Sequence, residues 1–69
     1  MISPLASQSL RSSLRQTRGA LRTTNRALQS LSLSESERRV LTALRTVQLE
    51  VEQVLVGMLS DAQGVRRAA

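Results

Sequence analysis

Two apolar registers, each stepping alternately by four and three residues, divide this chain into halves at Ser34. In the first half Leu10, Leu14, Thr17, Leu21, Thr24, Leu28 and Leu31 keep the step. In the second half Val40, Leu44, Val47, Val51, Val54 and Met58 keep it again. A four-three step is the heptad spacing that lays side chains along one stripe of an α-helix, and it does not fit the two-residue alternation of a strand. The fold class is therefore all-α.

The ends of the two helices follow from local chemistry. Ser3-Pro4 suits an N-cap followed by proline in the first helical position. Ser34-Glu35-Ser36-Glu37 forms a capping box, in which the Ser34 hydroxyl can accept from the Glu37 amide while the Glu37 carboxylate reaches back. Glu35 and Glu37 also put negative charge at the positive end of the helix dipole. Gly64 suits the left-handed residue just past a helix end, with Val65 folding back on Leu59 and Arg66 and Arg67 near the negative dipole end. These signals predict one domain over 1–69: helix 1 at about 4–31, a turn at 32–34, helix 2 at about 35–63 and a short basic tail at 64–69. So short a link between helices of similar length favours an antiparallel hairpin of coiled-coil type, with Leu33 plugging the end of its core. Gly19 weakens helix 1 by about 1 kcal/mol relative to Ala.

Helix 2 carries more apolar surface than one neighbour can cover. Leu41, Leu55 and Leu59 widen the Val/Leu/Met stripe on one side, and Leu49 and Val56 lie on a different face. Helix 1 answers with a narrow Leu/Thr register. A 69-residue chain obtains only roughly 3–5 kcal/mol from a single core. Cysteine and histidine are absent, so neither disulfides nor zinc can supplement it. Partner helices are the remaining support, and dimerisation into a four-helix bundle is the simplest closure. The expected apolar contact residues are Leu49, Val51, Leu55, Val56 and Leu59.

Charge is as unevenly spread as apolar surface. Residues 1–34 hold Arg11, Arg15, Arg18, Arg22 and Arg26 with no acid, whereas residues 35–69 hold five arginines and five acids. The net charge of +5 therefore belongs to the first half. The five arginines make a basic ridge along helix 1, suited to phosphates or an acidic partner. An antiparallel register would bring Arg15 near Glu50 or Glu52, and Arg26 near Glu37, leaving the remaining arginines to solvent or an outside partner.

The missing residue types exclude most chemistry. With no His, Lys or Cys, the Ser and Thr hydroxyls have no base to activate them, and no Schiff base or P-loop lysine can form. Glu50 and Glu52 are two apart and point to different helix faces, so they make no carboxylate pair. Glu35 and Glu37 are accounted for by capping. Without Phe, Tyr or Trp there is no stacking platform for single-stranded bases. The expectation is a protein without cofactor or enzymatic activity: a structural or assembly subunit, or an adaptor, joined to other chains by helix packing.

Two alternatives remain open. In layout the chain resembles the small RNA-binding repressor-of-primer hairpins, which dimerise into four-helix bundles. That resemblance implies a basic nucleic-acid-binding hairpin using Arg11, Arg15, Arg18, Arg22 and Arg26, with salt-sensitive binding of low sequence specificity. Separately, Ser13-Leu14-Arg15-Gln16-Thr17, Ala20-Leu21, Thr23-Thr24-Asn25 and Leu28 resemble the N-terminal coiled-coil helix of flagellins, although Gln29-Ser30-Leu31-Ser32 stands where that family has its turn motif. This resemblance implies a subunit of a helical filament or export apparatus. The longest apolar run, Val54 to Leu59, is far short of the roughly 20 residues of a membrane span, and no apolar segment of a secretory signal follows the start. An intracellular, cytoplasmic location is expected. The acid-free, Arg- and Ser-rich first half also has the composition of mitochondrial transit segments, which keeps a mitochondrial complex as an alternative.

Overall fold

The computed structural model describes the backbone of residues 4–68 and the side chains of residues 4–62. The chain folds as two α-helices packed on each other, α1 (Pro4–Leu28) and α2 (Glu35–Ala68). Arg18 meets Glu52, while Arg38 meets Leu28. The helices therefore run antiparallel, and the hairpin measures 53 × 16 × 13 Å.

Proline occupies the first position of α1, where its missing amide costs nothing. Ser3, the expected cap, lies outside the described residues. The capping box forms as expected at the start of α2: the Ser34 amide donates to Glu37 Oε1 at 3.0 Å and the Glu37 amide donates to Ser34 Oγ at 3.1 Å. The Ser34 amide, together with the Ser34 side chain, holds the Glu37 carboxyl below its usual range.

Both expected C-termini are corrected. Helix α1 ends at Leu28, not near 31, because the Gln29 and Ser30 amides turn back three residues to the Arg26 and Ala27 carbonyls. Arg38 of α2 then reaches across the turn, its guanidinium donating to the Leu28 carbonyl at 3.1 Å and the Ser30 carbonyl at 3.3 Å. Leu31 thereby leaves the heptad and stands 97% exposed, whereas Leu33 is half-buried near the turn. At the other end α2 continues through Gly64 to Ala68, so Gly64 is an interior helical residue. No proline follows to stop the helix, and Arg and Ala are strong helix formers. The side chains of Val65, Arg66 and Arg67 lie outside the described residues.

The α1 face that meets α2 is the expected one. Leu10, Leu14, Thr17 and Leu28 are half-buried, and Leu21 and Thr24 are buried at 7% and 4% exposure. Thr24 is accommodated because its hydroxyl donates to the Ala20 carbonyl at 3.0 Å, which leaves its methyl to pack.

The α2 face is not the expected one. The half-buried positions are Leu41, Arg45, Gln48, Glu52, Leu55, Leu59 and Ala62, which also step by four and three. At about 100° per residue, this face lies one residue, about 100°, round the helix from the Val40–Met58 stripe. The stripe is exposed along its whole length, at 68% for Val40, 55% for Val47 and 61% for Val54. Two polar anchors are consistent with this rotation: the Arg38 bonds to the end of α1, and the Arg18–Glu52 ion pair at 3.0 Å.

Candidate functional site

Folding gives the hairpin two unlike long faces. On one side of the α1–α2 contact lies the apolar stripe of α2: Val40, Leu44, Val47, Val51, Val54 and Met58, all exposed. Helical phase puts Ser13, Gln16, Ala20, Thr23 and Ala27 on the same side of α1. These are short side chains apart from Gln16, so this face of the hairpin is flat on α1 and raised on α2. Among the described residues, no helix is long and apolar enough to cross a membrane.

Of the apolar residues singled out from sequence, Leu49, Val51 and Val56 are exposed. Leu55 and Leu59 are not available in the same way: they are half-buried and belong to the face that packs on α1. Leu49 and Val56 sit on the opposite flank from the stripe, beside the arginines. The exposed apolar surface is therefore centred on Val47, Val51 and Val54. Val51 is among the contact residues expected from sequence, whereas the heptad spacing of Val47 and Val54 points to the internal contact.

The second face is basic. Arg11, Arg15, Arg18 and Arg22 line a shallow groove along α1 with Leu14, Leu21, Asn25 and Glu52. Toward the turn the groove continues past Asn25, Leu28 and Gln29 to Arg38, Thr42 and Arg45 of α2. The ridge expected on α1 is thus extended by two arginines that the sequence placed in the near-neutral half. Arg26, at the far edge of the ridge by helical phase, does not line this groove.

The ion pairs differ from those expected. Arg18, not Arg15, takes Glu52, and Glu37 turns to the Ser34 amide instead of to Arg26. Arg39 pairs with Glu35 one turn away on α2. Among the described residues Arg11, Arg15, Arg22 and Arg45 have no ion-pair partner, so the groove keeps a strong positive potential with one acid in it.

The interior between the faces is thin and partly polar. Leu21 is the single buried apolar side chain among the described residues, and the Gln48 Oε1 is buried without a hydrogen-bond partner. Arg45 and Glu52 lay their aliphatic stems on the same seam and send their charged ends toward the groove. No protein family, curated protein or solved structure matches the chain.

Proposed function

We propose that this protein is a non-catalytic structural or assembly subunit, or an adaptor, that works by docking its α2 stripe onto other helices. The observation that carries the reading is the mismatch between the two faces of α2. Its most continuous apolar stripe is exposed from Val40 to Met58, while the face turned inward contains Arg45, Gln48 and Glu52. A contiguous apolar stripe left outside on so small a fold marks an interaction surface. The residue inventory supports the non-catalytic part, since no His, Lys or Cys is present to act as base or nucleophile.

The test is the melt of the isolated chain. With one buried leucine, the solitary hairpin should unfold broadly and at low temperature. Val47→Glu combined with Val54→Glu should leave that solitary melt nearly unchanged while removing any stabilisation that rises with protein concentration. A sharp, high-temperature melt that is independent of concentration would refute the reading.

A second reading draws on the opposite face. Arg38 and Arg45 join Arg11, Arg15, Arg18 and Arg22 in one groove, which supports contact with a polyanion such as a nucleic-acid backbone. Forked guanidinium donors suit phosphate, and the lack of aromatic side chains restricts such binding to charge and shape.

A further inference from the structure

We infer that the occupant of the apolar face is a second copy of this chain, laid face to face across a two-fold axis perpendicular to the helices, with α2 antiparallel on α2. The inference rests on the reading of the stripe as a docking face and adds the partner and its geometry.

Register is the first argument. The stripe steps four, three, four, three, four, a spacing that is the same read in either direction. Reversed on itself, it sets Val40 opposite Met58 of the second copy, Leu44 opposite Val54 and Val47 opposite Val51. Every apolar residue of the stripe finds an apolar counterpart, as an isologous two-fold contact requires. Acids bracket the stripe one step beyond each end, at Glu37 and Asp61. The paired register sets Glu37 opposite Asp61 of the second copy at the margins of the contact, whereas a slip of one heptad would lay Glu37 on Val54 or Asp61 on Leu44.

Extent is the second argument. In the paired register α2 overlaps its copy over residues 35–63, about 42 Å at 1.5 Å per residue, so with the 16 Å width of the hairpin the contact covers at most roughly 670 Å² per partner, within the roughly 600–1,000 Å² per partner of standard interfaces. Helix α1 contributes to this area. With α2 on α2, the same axis sets α1 on α1 near Ala20, and Ser13, Ala20 and Ala27 are small enough to let those helices approach.

Charge is the third argument. A chain of net charge +5 resists self-association wherever its arginines would meet. Here Arg11, Arg15, Arg18, Arg22, Arg38 and Arg45 all lie on the other face and point away from the contact. By helical phase the stripe is flanked on its outer side by Arg39, Ala43, Thr46, Glu50, Gln53, Gly57 and Ser60. In the antiparallel register Thr46 falls near Gln53 of the second copy and Arg39 near Ser60, so no two arginines oppose each other there, while the two exposed Glu50 carboxylates face each other beside the two-fold axis.

The chain has no cysteine, which allows a clean cross-linking test. Full-length Val47→Cys and Val51→Cys chains, one carrying a mass tag, are mixed and oxidised, with sedimentation of the native chain run alongside. The expected result is a dimer whose mixed 47–51 disulfide exceeds either self-disulfide several-fold. Predominant Val47→Cys self-disulfide in a sedimenting dimer would overturn the antiparallel arrangement and leave the docking face standing. A largely unfolded monomer would overturn the second copy as occupant, with the docking reading intact. A fully helical, stable monomer would overturn both.

Discussion

The rotation of α2 makes a prediction that separates the observed packing from the packing its apolar pattern suggests. Gln48 lies at the centre of the inner face of α2, with its Oε1 buried and unpartnered. A buried polar atom without a hydrogen bond costs about 1–3 kcal/mol. Gln48→Leu removes that cost and adds apolar contact in the same space, next to leucines that are already half-buried. The expected gain is about 2 kcal/mol after allowance for imperfect fit of the branched side chain. For a domain of this size 1 kcal/mol shifts the melting temperature by about 4–8 °C, so a rise of about 8–16 °C is expected.

The assay is thermal unfolding followed by far-ultraviolet circular dichroism, with wild type and variant compared at several matched concentrations. Matching matters because association also stabilises the folded chain by mass action. If the Val47 stripe met α1 instead, Gln48 would lie on a solvated flank and the substitution would change stability by no more than about 0.5 kcal/mol. An unchanged or lowered melting temperature at every concentration would refute the assigned face of α2.

Two further outcomes follow from the ends and the basic face. The Glu37 carboxyl is held below its usual value by Ser34, so its contribution is present above the unfolded value of about 4.3 and is lost as pH falls through the lower folded value; wild type should lose more stability on acidification than Glu37→Gln, and parallel acid profiles would contradict the capping argument. On the groove, Arg15→Ala with Arg22→Ala should weaken binding to an RNA duplex at low salt and flatten its salt dependence by about two in log–log slope, measured by fluorescence anisotropy; wild type that fails to bind at low salt would dispose of the polyanion reading.

How far the sequence revealed this fold depended on whether a local signal had competition. The α1 face had none: Leu10, Leu14, Thr17, Leu21, Thr24 and Leu28 form its one leucine-bearing register, and that is the face that packs. The capping box was equally plain, because Ser34 and Glu37 satisfy each other within one turn. On α2 two registers with the same step lie side by side, and the more apolar one was the natural choice for the interior. The packed register instead coincides with contacts between residues distant in sequence: Arg38 on the Leu28 and Ser30 carbonyls and Arg18 on Glu52. Neither follows from periodicity. The same rotation brings Arg45 into the groove and takes Leu55 and Leu59 out of the exposed apolar surface, so one unreadable angle accounts for most of the misplaced site residues.

That angle also decides how the two faces can work together. A hairpin that buried Val40 to Met58 internally would turn Arg45, Gln48 and Glu52 outward and have a better core of its own, but it would offer no apolar face to another helix. Turning the stripe outward leaves the solitary hairpin a thinner core, and on the proposed reading its folding is tied to association, as in obligate subunits. The cost of bringing together two chains of charge +5 is limited by the same layout. Each hairpin is 13 Å thick, so two stacked on their apolar faces would hold their basic grooves roughly 26 Å apart, well beyond the Debye length of about 8 Å at physiological ionic strength. Each groove would then act as a separate positive surface on the outside of the pair, open to a partner while the stripe is occupied.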